Sequence, residues 1–136
     1  MMDCKPWFVL VTHGRFGEEL KSSAEMIMGP LEDTYCISLM EGMDPLELKN
    51  KLSELLKDAP ANTIIMTDLF GGTPSNTAAM FAFEKEYSII CGLNLPMLIE
   101  AEMTRMQGNY NLNQKIIQTG KESVIDIKKL MMERRK

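Results

Sequence analysis

The sequence predicts an α/β domain, a doubly wound and mostly parallel sheet with helices on both faces. Two observations carry this. Short apolar runs rich in β-branched residues recur at Trp7–Val11, Thr34–Leu39, Thr63–Leu69 and Tyr87–Gly92. The first and third lack polar alternation, as strands buried on both faces require. Between the runs lie stretches with helical spacing of apolar residues and their own start and stop signals. Strands that alternate with helices imply right-handed crossovers and parallel pairing.

In order, Trp7–Val11 runs into Thr12-His13-Gly14, a strand ending in a turn. Phe16–Met28 reads as a helix with Leu20, Ala24, Ile27 and Met28 on one face, stopped by Gly29-Pro30. Thr34–Leu39 is the second strand by its β-branched and aromatic content. A marked helix start follows: Asp44 as N-cap, Pro45 at the first position and Glu47 in capping-box position. Leu48, Leu52, Leu55 and Leu56 form its buried stripe. Thr63–Leu69 is the third strand, ending in Phe70-Gly71-Gly72-Thr73-Pro74. Thr73 and Pro74 are expected as N-cap and first residue of a helix reaching about Glu86. Tyr87–Gly92 is the fourth strand, and Asn94-Leu95-Pro96 opens another helix. A short helix from Asn111 to Thr119 is expected to stop at Gly120. Val124, Ile125 and Ile127 lean Ser123–Leu130 towards a fifth strand rather than a last helix.

The length of 136 residues fits a single domain, 1–136, with residues 131–136 expected as a disordered basic tail. A net charge of −4 argues against a general nucleic-acid binder, which shows a basic field. No apolar stretch approaches the ~20 residues of a membrane span. Met1–Pro6 carries no signal-peptide pattern, so a cytoplasmic location is expected. The cysteines, Cys4, Cys36 and Cys91, show no CxxC spacing, and with one histidine in the chain they do not suggest a zinc site. Cys36 and Cys91 fall in strands and are expected as inert core residues; most of the 13 methionines fill apolar positions.

The unusual residues gather after strands, where open α/β sheets meet their ligands. His13-Gly14 follows the first, Asp68 and Gly71-Gly72-Thr73 the third, and Asn94-Leu95-Pro96 the fourth. First and third strands are neighbours in common doubly wound orders, which brings Asp68 towards His13. A carboxylate beside an imidazole fixes its tautomer and leaves the other ring nitrogen as nucleophile. The free N–H groups of the Gly71-Gly72-Thr73 turn and the Thr73 hydroxyl suit an anion such as phosphate, and the helix after Gly14 offers a second N-terminus. Each part alone is commonplace: the glycine turn is neither a Walker loop nor a GxGxxG nucleotide loop. Together they suggest phosphoryl transfer through phosphohistidine. A flavodoxin-like small-molecule-binding module would share the strand-end pocket without needing the histidine.

Thr12-His13-Gly14, Ser23-Ala24-Glu25-Met26-Ile27 with Gly29, Asp68-Leu69-Phe70-Gly71-Gly72-Thr73-Pro74 with Asn76, and Asn94-Leu95-Pro96-Met97-Leu98 with Glu100 cover nearly the whole chain. In this order they resemble the enzyme IIA domain of the mannose-type (mannose/fructose/sorbose) bacterial phosphoenolpyruvate-dependent sugar phosphotransferase system. The resemblance implies a phosphotransferase acting through phosphohistidine, without metal or organic cofactor. His13 would accept phosphate from the carrier protein HPr and pass it to a IIB subunit, with the IIC and IID membrane subunits served indirectly in sugar uptake. Asp68 matches the aspartate that orients the histidine, and Thr73 the hydroxyl residue near the phosphoryl group; Gly14, Gly71 and Gly72 complete the anion site. The resemblance also implies a homodimer in which a C-terminal antiparallel strand crosses to the partner, with Ser123–Leu130 as the candidate; nothing beyond about Met131 looks like a IIB domain or its linker, so a free-standing subunit is expected. Arg15-Phe16 departs from the small or apolar residues expected after His-Gly. A regulatory protein that senses its own phosphorylation would use the same residues.

Overall fold

A computed structural model describes residues 4–135. The chain folds as β1 (Phe8–His13), α1 (Phe16–Met28), β2 (Thr34–Leu39), α2 (Pro45–Leu56), β3 (Ile64–Thr67), α3 (Thr73–Ala79), β4 (Ser88–Cys91), α4 (Leu95–Met106), α5 (Asn113–Glu122) and α6 (Ile127–Arg134). The strands form one sheet in the order β2-β1-β3-β4, all parallel. In register, Val11 lies between Ile37 of β2 and Thr67 of β3.

Alternate residues of each strand feed opposite faces, as the pleat demands. Phe8, Leu10, Ile64, Met66 and Ile90 point to one side and pack with Ala24, Leu98, Ala101 and Ile116 of α1, α4 and α5 and with Leu112, the N-cap residue of α5. Val9, Val11, Ile37 and Ile65 point to the other and pack with Leu48, Leu52, Leu56, Ala78 and Phe81 of α2, α3 and the turn after it. The expected α2 start is in place, with Pro45 in the first turn and the Asp44 carboxylate accepting the Leu46 N–H at 2.8 Å. This three-layer arrangement places a reversal of winding between β1 and β3. The connection from β1 runs outward to β2, whereas that from β3 runs the opposite way to β4. Doubly wound sheets open a crevice at the carboxyl ends of the strands at such a reversal.

Arg105 is a buried cation that the sequence did not announce. It is 2% exposed, its guanidinium lies 3.8 Å over the Phe8 ring, and it pairs with Glu102 at 2.8 Å. Its Nη1 donates to the Pro6 and Asp33 carbonyls and Nη2 to that of Glu32. One side chain on α4 thus satisfies carbonyls at the amino-terminal rim of β1 and β2, which meets the rule that buried charge must be paired and hydrogen-bonded.

Several expectations are corrected. The fifth strand does not form among the described residues: Ser123–Asp126 lies outside any strand and Ile127–Arg134 is helix α6. Strong helix formers follow Ile127, and the Asp126 carboxylate caps the helix by accepting the Lys129 N–H at 3.0 Å. That helix also takes in Met131–Arg134, where a tail was expected, with every side chain solvent-facing; Lys136 lies outside the described residues. Helix α3 ends at Ala79, not near Glu86, because the N–H groups of Met80, Phe81 and Ala82 bond three residues back and turn Phe81 into the core. Helix α5 passes through Gly120, which is a packing position: a Cβ there would lie 2.5 Å from Met97 Cγ. β2 and β4 are both edge strands; Cys91, the last residue of β4, is exposed, whereas Cys36 in β2 packs against the core on the α1 side and is half-buried. Burial pushes the Cys36 thiol up to about 11.

Candidate active site

β1 ends at the reversal of winding, and its last residue is His13. The turn beyond it needs glycine: Gly14 has φ +54°, in the left-handed region where a side chain is strained, while its N–H donates to the Leu39 carbonyl at 2.8 Å. The buried Thr12 hydroxyl accepts the Gly17 N–H at 2.9 Å and ties the first turn of α1 back to β1. A Cβ on Gly17 would lie 3.2 Å from Thr12, so the helix seats closely on the strand. The histidine is therefore carried by a turn fastened on both sides.

Asp68 follows β3, the strand beside β1. Its Oδ2 accepts the His13 backbone N–H at 2.9 Å and lies 2.9 Å from His13 Nδ1. The same oxygen thus fixes both the main chain and the ring. A carboxylate at Nδ1 requires a proton there, so the neutral ring is the Nδ1–H tautomer with its lone pair on Nε2. Nε2 belongs to a side chain 48% exposed, open to an incoming group, whereas the Asp68 side chain is only 15% exposed. The second Asp68 oxygen, Oδ1, is buried without a hydrogen-bond partner.

The loop after Asp68 closes over the ring. A Cβ on Gly72 would fall 2.8 Å from His13 Cε1 and 3.4 Å from Nε2, so any side chain there displaces the ring. Gly72, not Thr73, is the N-cap residue of α3, and it makes no side-chain cap; Thr73 is the first helical residue. Gly71 lies one residue further from the ring, its carbonyl accepting Asn76 Nδ2 at 3.3 Å. Two of the three strand ends therefore converge. At the third, Asn94 is committed to structure: its Oδ1 caps α4 through the Met97 N–H at 3.0 Å, and its Nδ2 reaches the Gly120 carbonyl.

Exposed apolar side chains lie on the segments that leave the same sheet edge. Phe16 opens α1, Met40 follows β2, and Leu69 and Phe70 follow Asp68; all are exposed, Phe70 by 86%. Exposed apolar residues grouped at one site mark an interaction surface. Their spacing gives no sequence period, so only the parallel sheet reveals the group.

The profile of the family described as PTS system fructose IIA component (EIIA-man) matches residues 7–117. The chain belongs to this family. The mannose-specific EIIAB component of Escherichia coli K12 is 31% identical over 132 residues, 93% of this chain and 41% of that protein. The EIIA-man chain thus spans about two fifths of the length of that relative. The fructose-specific EIIA component of Bacillus subtilis is 35% identical over 95 residues, covering 68% of this chain and 65% of the relative. Among solved structures, the mannose/sorbose-specific IIA subunit of Enterococcus faecalis superposes with a TM-score of 0.82 at 34% identity, over 90% of this chain and 95% of that one. The parallel α/β fold of the EIIA-man chain is thus that of solved EIIA proteins. No helix among its described residues is long and apolar enough to cross a membrane.

Proposed function

We propose that this EIIA-man protein is a cytoplasmic phosphoryl carrier of a sugar phosphotransferase system. In this reading His13 accepts phosphate from phospho-HPr and passes it to a IIB partner. The observation that carries it is the double contact of Asp68 Oδ2 with the His13 N–H and Nδ1, which directs the lone pair of the neutral ring to Nε2.

The step balances within the two proteins. The Nε2 lone pair attacks the phosphorus of the donor phosphohistidine; the new N–P bond forms as the donor N–P bond breaks, and its electron pair returns to the donor ring. No proton need leave His13, because Nδ1 keeps its hydrogen and donates it to Asp68, whose charge stabilises the positive ring as it develops. The Gly71 N–H and the Thr73 N–H and hydroxyl would hold the phosphoryl oxygens, whereas the N–H groups of Gly14 and Gly72, also expected there, are already bonded to the Leu39 and Leu69 carbonyls. Transfer to a IIB subunit is the same step in reverse, with phosphate then moving towards the sugar at the IIC and IID subunits. The apolar rim of Phe16, Met40, Leu69 and Phe70 suits partners that dock by a protein surface. A homodimer would give the exposed Val124, Ile125 and Ile127 a covering surface.

Incubation with enzyme I, HPr and phosphoenolpyruvate tests the reading. An acid-labile, alkali-stable phosphate is expected on the wild type and absent from His13→Ala. No incorporation, or its persistence in His13→Ala, refutes it.

A further inference from the structure

The loop that carries Asp68 and Gly72 has little side-chain burial to hold it, since Leu69 and Phe70 are 60% and 86% exposed. Yet Asp68 must keep one oxygen on two His13 groups at once, and Gly72 must stay against the ring. What fixes the loop lies beneath it. The buried Ser75 hydroxyl donates to the Leu69 carbonyl at 2.6 Å and lies 2.6 Å from the Thr67 hydroxyl, which is fully buried. A hydroxyl has a single proton. With that of Ser75 spent on Leu69, Thr67 donates to Ser75. Thr67 is itself held in β3, in register with Val11 and Cys91, and its carbonyl accepts the Leu93 N–H at 3.0 Å. The path from the rigid sheet to the loop is therefore Thr67, Ser75, then the carbonyl of Leu69, which also accepts the Gly72 N–H at 3.2 Å.

We propose that Ser75 is a positioning residue for the histidine site: through Thr67 and the Leu69 carbonyl it holds Asp68 and Gly72 against His13. Ser75 lies two residues into α3, its hydroxyl is engaged on both sides, and its action on the imidazole runs through the loop alone. The kinetic part of this inference rests on the phosphoryl-carrier reading, whereas the structural part does not.

Imidazole nitrogen NMR above neutral pH separates the two. The wild type should show His13 protonated on Nδ1 alone. In Ser75→Ala the two tautomers should mix, with the amide signals of residues 68–72 broadened and those of β1 and α4 unmoved. The rate of transfer from phospho-HPr should fall roughly tenfold at unchanged KM, because a loosened contact misplaces the group that stabilises the reacting ring. Thr67→Val removes only the upstream hydroxyl and should move the same signals less, while Thr67→Ser should restore them. If Ser75→Ala fails to fold, Thr67→Val decides. A wild-type tautomer in whichever of the two variants folds overturns the proposal. Mixed tautomers in a protein whose wild type takes no phosphate would uphold the positioning role and refute the carrier reading.

Discussion

Replacing Asp68 by alanine removes the acceptor that His13 uses twice, through its main-chain N–H and Nδ1, both at 2.9 Å. A hydrogen bond to a charged group contributes about 1.5–3 kcal/mol. The imidazole is about half exposed, so solvent screening brings the ring contact down to about 1–2 kcal/mol. This contribution grows as the ring becomes positive, so the loss falls on the transition state and the phosphorylated product rather than on docking. At 1.36 kcal/mol per decade, the transfer rate should drop about five- to thirtyfold with KM little changed. Folding should suffer little. The substitution also deletes Oδ1, a buried oxygen with no partner, and that removal offsets part of what the lost contacts cost. Rapid-quench transfer from phospho-HPr, the lifetime of the phosphorylated protein and a thermal melt measure the three quantities. Asp68→Asn, which keeps one acceptor oxygen without the charge, should fall between wild type and alanine. A rate and lifetime within about twofold of wild type in Asp68→Ala would refute the assigned role of the carboxylate.

Gly72→Ala would set a methyl 2.8 Å from His13 Cε1. The expected result is a displaced ring and about a tenfold or greater loss of transfer, with a melting temperature near wild type. Arg105→Leu strips Glu102 of its 2.8 Å partner and frees the carbonyls of Pro6, Glu32 and Asp33, so urea denaturation should report a loss of about 3–5 kcal/mol. Thiol alkylation should separate the cysteines. The thiolate is the reactive form, and burial holds Cys36 protonated up to about pH 11, so at mildly alkaline pH the exposed Cys4 and Cys91 label first. Cys36 reactivity should rise only as pH climbs towards that value, as peptide mass mapping would show.

The sheet was legible because β1 and β3 are apolar on both faces, which leaves few other places for them. Strand order then placed Asp68 beside His13, and the pair was readable before any distance was known. What escaped detection depends on partners remote in sequence. Arg105 reads as a solvated cation on an amphipathic helix, and only the convergence of Phe8, Glu32, Asp33 and Thr34 makes its burial favourable. Cys91 reads as core because an edge strand carries the same residue types as a central one. Ser75 carries no signal in the sequence, since a hydroxyl pair eight residues apart has no pattern of its own. In the C-terminal stretch the β-branched Val124, Ile125 and Ile127 point to a strand, but the helix formers from Lys128 onward decide the fold.

The Arg105 clamp bears on how the chain is assembled as it is synthesised. Its bond to the Pro6 carbonyl spans 99 residues, and those to Asp33 and Glu32 span 72 and 73. A nascent chain that has released only β1, α1 and β2 holds three carbonyls with their intended donor still inside the ribosome. The amino-terminal rim of the sheet can close only once α4 has emerged, although its first strands are made much earlier. Contacts of such long span slow folding, because the entropy of closing the loop is lost before the contact can repay it. The histidine turn, tied to Gly17, Leu39 and Asp68, draws its partners from residues made before Arg105 and can take shape before that clasp shuts.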